Sequence, residues 1–136
     1  MPWFRDESNI ACIDHLPLPD YPALARAAGL HGIIAATATL SPDASVEQIT
    51  TDFNSDSAES RKLKLLLEYE VREVLRRAIF RSNCGGKAIK VVFRFEINGE
   101  PSSYNTRVAF GYPNQFWVTT RPSLAESESN LKSKPQ

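Results

Sequence analysis

Between Ile89 and Ile97 the sequence alternates: Ile89, Val91, Phe93, Phe95 and Ile97 are apolar, and Lys90, Arg94 and Glu96 between them are charged. A β-strand turns successive side chains to opposite faces, so this run specifies a strand with one side in a core and the other toward water. The apolar side needs a cover, and the sequence supplies one upstream. Leu63, Leu66, Leu67, Val71, Val74, Leu75 and Ala78 recur at intervals of three and four, which predicts a helix over about 58–80 with one buried stripe. Its other side carries Arg61, Lys64, Glu68, Arg72, Glu73 and Arg76. A long helix laid across strands of this kind restricts the chain to an α+β architecture.

The remaining elements fit that plan. Pro22 suits a first helical turn, Ala23 to Ala28 are good helix formers and Gly29 fits a left-handed stop, so a short helix is expected there. Gly32 to Leu40 reads as a strand with small or β-branched residues on both faces. "SPDAS" at Ser41 to Ser45 turns it into a partner strand over Val46 to Phe53. "NCGGK" stops the long helix, and "NGEP" and "GYPN" bracket alternating runs at Tyr104 to Phe110 and Phe116 to Thr120. With 136 residues there is room for one core. The expected organisation is an irregular arm over 1–18, ending where Pro17, Pro19 and Pro22 favour an extended lead-in, a domain over 19–98, an extra hairpin over 99–122 that extends the sheet, and a disordered tail over 123–136.

The longest apolar run, "GIIAATATL" at Gly32 to Leu40, falls far short of the roughly 20 residues of a membrane span. "MPWFRDESNI" lacks the basic start and apolar centre of a signal peptide. Cys12 and Cys84 permit one disulfide, favoured only if the protein is exported. Charge is unevenly placed. Residues 1–60 hold two basic and nine acidic residues, a net of −7; residues 61–94 hold ten basic and three acidic, a net of +7; the last 42 balance four against four. Such a chain either pairs its halves internally or presents a basic face.

Taken in order, Tyr21-Pro22, an alanine- and arginine-bearing turn, Gly29, Gly32 leading a strand, Pro42-Asp43 before Val46, Arg76-Arg77 with Phe80, Gly85-Gly86 and Val92-Phe93-Arg94-Phe95 form a pattern. Over about Asp20 to Asn98 this resembles the C-terminal domain of TonB-family energy transducers. The resemblance implies an antiparallel sheet of three to five strands, a short N-terminal helix and one long helix packed on one face. It also implies a periplasmic protein-binding module without cofactor or catalysis. Such a module recognises an extended peptide of an outer-membrane transporter, or another extended segment, by adding it to the sheet edge after the long helix. That location requires an export or anchor segment beyond the sequence given, which as it stands carries no address out of the cytoplasm. Three departures stand out. Ala44 occupies the turn-glycine position, Ala78 replaces a tryptophan whose volume Phe116 or Trp117 must restore, and the chain continues past the last family strand. Folded back at "NGEP", Ser103 to Phe110 would lie antiparallel to the 89–97 strand and occupy the family's own peptide edge.

Other chemistries have weaker support. Cys12, His15, His31 and Cys84 could ligate zinc, yet only the first pair is closely spaced. Cys84 beside two glycines could be a nucleophile, and Gly85-Gly86-Lys87 could cradle phosphate, but the partner residues and the P-loop spacing are missing. Arg72, Arg76, Arg77, Arg81, Lys87 and Lys90 could contact nucleic acid or another anion. Trp3 and Phe4 on the arm suit docking or dimer exchange, so a homodimer is a further partner class. The expected partner-binding residues are Lys90, Val92, Arg94 and Glu96, together with Thr106, Val108 and Phe110 or Phe116, Val118 and Thr120, whichever strand is outermost. No metal, cofactor or small-molecule substrate is expected.

Overall fold

The alternating run is the central strand of a five-stranded sheet. The computed structural model describes residues 3–4, 12–54, 61–101, 106–111 and 114–122. In chain order the elements are β1 (Trp3–Phe4), β2 (Ile13–Pro17), α1 (Ala23–Ala27), β3 (Gly32–Leu40), β4 (Val46–Asn54), α2 (Arg61–Arg76), β5 (Ile79–Phe80), a single 3-10 turn (Ser82–Cys84), β6 (Ala88–Ile97), β7 (Arg107–Gly111) and β8 (Gln115–Thr120). The large sheet has the order β4-β3-β6-β8-β7, and β1, β2 and β5 form a small second one. The fold is α+β.

Local sequence explains the first turns. Pro22 caps α1 with φ −57° and ψ 133°. At the other end Gly29 sits at φ +71°, its N–H donates to Arg26 O, and the Leu30 N–H reaches back to Ala25 O at 2.8 Å. Those two crossed bonds close the helix in a Schellman motif, which favours glycine at the left-handed position. At Gly32 a Cβ would collide with the Phe53 ring of β4, so the close pairing of β3 and β4 requires glycine there.

The core lies between the sheet and its cover. Leu67, Val71, Val74 and Leu75 of α2 are buried and face β3 and β4, while Ile13, Leu16, Tyr21, Ala25 and Leu30 complete the layer. Opposite them lie Ile34, Ala36, Ala38 and Leu40 of β3, Val91, Phe93 and Phe95 of β6, and Phe116 and Val118 of β8. Burying each large side chain contributes about 1.5–3 kcal/mol. Tyr21 meets Phe95 edge-on at 5.4 Å and donates its hydroxyl to Leu30 O. Burial, with Glu96 adding to it, pushes that phenol far above its ordinary range.

Several expectations are corrected. The sheet is mixed rather than antiparallel, because β8 runs parallel to β6 from Val92↔Gln115 to Ile97↔Thr120. The strand beside β6 is therefore β8, and β7 lies outermost, antiparallel to β8. The more apolar strand takes the inner place: Phe116 and Val118 are fully buried, whereas Val108 and Phe110 stay half-buried. The arm read as irregular carries β1 and β2, and β2 draws Ile79 and Phe80 away from the helix by pairing with them. The long helix consequently ends at Arg76. Cys12 and Cys84 are joined across 72 residues, with Cα atoms 6.1 Å apart. The 123–136 tail and Tyr104 lie outside the described residues.

Candidate functional site

A strand-adding module needs an unpaired rim, so the main-chain neighbours of each strand decide what the sheet can offer. Lys90, Val92, Arg94 and Glu96 project from the face of β6 away from the helix, but the β6 backbone is paired with β3 on one side and β8 on the other. The β6 edge after the long helix is sealed by the chain's own β7–β8 hairpin. Asn114 locks the seal, donating from its side-chain nitrogen to Lys90 O at 2.9 Å and accepting from the Val92 N–H through its own carbonyl. Phe116, Val118 and Thr120, offered as partner-binding residues, point into the core, with at most 1% of any of them exposed. Phe116 stacks on Phe93 at 5.4 Å and touches Phe110 at 5.1 Å, so three strands are pinned by one aromatic row. Trp117 occupies the opposite face, under the Arg94 guanidinium at 5.8 Å and so close over Gly111 that a Cβ there would strike the indole.

The five-stranded sheet keeps two rims among the described residues, and they differ. β4 is the longer, but Arg72 of α2 reaches over it: Nη1 donates to Ile49 O at 2.9 Å and Nη2 to Thr51 Oγ1 at 3.0 Å, while the Thr51 hydroxyl donates to Glu68. Its register also shifts between Gln48 and Val46, and Glu47 and Asp52 place negative charge along it. Occupied carbonyls, bulges and charges are the usual ways of blunting an edge. β7 pairs with β8 without a bulge and carries one charge, Arg107 at its first position. Arg107 and Ala109 are exposed, Val108 and Phe110 anchor the strand inward, and no described residue pairs with its outer side.

The basic segment does not assemble into one patch. Arg72 is spent on β4, Arg76 pairs with Glu73 at 2.9 Å, Arg77 Nε donates to Glu73 O and Arg81 lies 3.9 Å from Asp14. Lys87 and Lys90 are exposed, on the loop before β6 and on β6 itself rather than on α2. The disulfide consumes both sulfurs of the four-ligand set and leaves Cys84 buried, without a thiol. Gly85 packs against Pro42 O and the Gly86 N–H donates to Ser41 O, so these glycines serve the junction between two loops.

Two clefts open at the end of the sheet where β6 and β8 finish and β7 begins. One, of about 240 Å³, is lined by His31, Gly32, Ile33, Asn54, Arg94, Phe95 and Glu96 and sets Arg94 near an acid of opposite sign. The other, of about 160 Å³, is lined by Asn98, Arg107, Thr119, Thr120 and Arg121. Arg26 of α1, itself buried, holds the floor of this end by donating from Nε to Arg121 O at 2.6 Å and from Nη2 to Pro122 O. Sequence reasoning passed over Arg107, Arg121 and Arg26. The available signal was that Arg107 and Arg121 are the two basic residues of 95–122 and straddle a turn at "GYPN". Comparison of the chain with protein-family models, curated proteins and solved structures returned no match.

Proposed function

We propose that this domain is a protein-binding module of the TonB energy-transducer type, not a catalyst, and that it takes an extended peptide as a sixth strand along β7. The observation that carries the reading is the contrast between rims: β6 is sealed by β8, β4 is guarded by Arg72, and β7 is left open. The succession of short helix, hairpin, long helix and a strand antiparallel to β3 supports the family resemblance. The Cys12–Cys84 bridge supports an oxidising compartment such as the periplasm.

Magnitudes fit a transient contact. Alternate residues of a five-residue strand turn their amides and carbonyls outward, giving about four bonds. At about 0.5–1.5 kcal/mol net each they sum to about 2–6 kcal/mol, which spans affinities from weaker than millimolar to tens of micromolar at most.

The reading is tested by titrating isotope-labelled protein with synthetic peptides from the extended N-terminal segments of outer-membrane transporters. Amide shifts should concentrate on Arg107–Gly111 and leave Lys90–Glu96 unmoved. Shifts along β4 instead, or none from any peptide, would count against strand addition at this rim.

A further inference from the structure

Trp117 is half-buried on the face of the sheet away from α2. The register pairs it with Ala109 of β7, yet its six-membered ring leans diagonally and lies over Gly111, where a Cβ would strike Cζ3 and Cη2. From the β6 side the Arg94 guanidinium lies 5.8 Å from the ring centroid, and Arg94 Nε donates to Gln115 Oε1 at 3.2 Å. The indole is thus held in place before any partner arrives. On the outer side β7 sets only Gly111 and Ala109 beside it, and neither is large enough to screen the ring from the rim. Arg107 shares that face four residues earlier. It is exposed, and no ion pair to it is found among the described residues. Glu96, the acid of the same row, stands two strands inward with Thr119 between them. The open rim therefore carries an aromatic surface at one end and a positive charge at the other.

We infer that this rim reads side chains as well as backbone: the strand added to β7 carries a large apolar residue opposite Gly111 and an acid opposite Arg107. The inference rests on the strand-addition reading and names the kind of peptide it takes. Residues directly opposite one another in paired strands share a face, with Cβ atoms about 4.5–5.5 Å apart. A side chain opposite Gly111 consequently meets the edge of the Trp117 ring, and one opposite Arg107 meets its guanidinium. Antiparallel pairing is the more stable per residue, and in that direction the apolar residue comes first and the acid four residues after it. Neither position needs a chain end, so the segment can lie within a longer extended stretch. Main-chain bonds hold every sequence alike. The tryptophan and the arginine set the register, because a slip of one residue would turn both selected side chains to the other face.

The probes are acetylated and amidated nonapeptides of serine and threonine. One carries leucine and aspartate in the order Leu-x-x-x-Asp, a second has serine for the leucine, a third has asparagine for the aspartate, and a fourth reverses the order. Each is titrated into the labelled full chain. The first should shift Arg107–Gly111 and the indole N–H of Trp117. Loss of the leucine, or reversal, should weaken binding about tenfold. Loss of the charge should weaken it about two- to fivefold, a gap that closes with added salt. In Trp117→Ala the leucine gap should vanish and the aspartate gap remain, and in Arg107→Gln the converse, with a retained amide spectrum verifying each fold. Gly111→Ala, whose methyl takes the place of the indole, repeats the leucine test should Trp117→Ala not fold. Equal affinities for the four peptides, or a leucine gap that survives in a folded Trp117→Ala or Gly111→Ala, overturn the inference. Its failure is separable from that of strand addition: equal binding with shifts along β7 keeps the rim and removes the side-chain selection, whereas no response along β7 from any of the four removes both.

Discussion

Phe93 and Phe116 lie directly opposite one another across a parallel strand pair, their rings 5.4 Å apart and 17° from coplanar. That contact joins the hairpin beyond Ile97 to the part of the chain where the family pattern was found, and both rings are fully buried. Phe116→Ala is expected to cost about 3–5 kcal/mol in urea unfolding, the range for an emptied aromatic site. Trp117→Ala, on the half-exposed face, should cost no more than about 1.5 kcal/mol. A reversed order would mean that β8 is seated with its faces exchanged.

The bridge between Cys12 and Cys84 closes a loop of 72 residues, which in the chain-entropy account limits the unfolded state by about 4 kcal/mol. Reduction, or the paired change to serine, should lower stability by about 2–4 kcal/mol. Intact mass without reductant reports the bond, and urea midpoints with and without reductant report its effect.

On the rim, proline substitutions at Val108 and Ala109 sample both directions of the β7 amides, since successive N–H groups alternate between the partner strand and the outside. The variant that retains its fold should lose peptide shifts along Arg107–Gly111. Val92→Pro in the centre of the sheet should unfold the domain instead. A folded proline variant at each of the two β7 positions with full peptide response would exclude this rim.

Arg72→Met removes the donor on Ile49 O and bares the longest rim of the sheet. Self-association that rises with concentration is the expected outcome in light scattering, because an uncovered β4 can pair with a second copy. A strictly monomeric variant would mean that Arg72 has no guarding role.

Asp43 titrates far below other aspartates, at about 2, because the Ser41 hydroxyl, then the Ser45 hydroxyl and amide, donate to its carboxylate. Between about pH 4 and pH 2 the unfolded chain therefore binds the proton that the folded chain refuses, so stability falls as pH falls through that window. Asp43→Asn should flatten this part of the urea-midpoint profile. Glu70 has the opposite sign: burial pushes its carboxyl up against the opposing Asp20 N–H, so it costs stability as pH rises through the carboxylate range. Fully exposed Asp43 should dominate only the acid end.

The parts of the fold legible in the sequence were those set by local periodicity. β6 was read from its alternation, β3 and β4 from their turn, and α1 from its proline and glycine. What escaped was decided at a distance. Ile79 and Phe80 continue the helical stripe perfectly well, and only pairing with β2 makes them a strand. The order of β7 and β8 was misjudged because consecutive strands usually neighbour each other, and here the greater burial of Phe116 and Val118 overrides that habit. Of the candidate residues, Val108 and Phe110 lie on the outermost strand, while Arg107, Asn98 and Arg121 belong to no motif and meet through tertiary pairing. Ala44 sits at φ +69° in the Ser41–Ser45 turn, a left-handed conformation that glycine adopts more easily and that nothing in the periodicity announced.

The late arrival of β8 has a bearing on how the protein is made. Because the inner strand of the hairpin comes after the outer one, the β8 side of β6 and the flank of Phe93 that Phe116 covers stay open until the final stretch through Thr120 has emerged from the ribosome. A nascent chain halted at residue 111 would thus display a sticky half-sheet, open to any chaperone that grips extended hydrophobic segments.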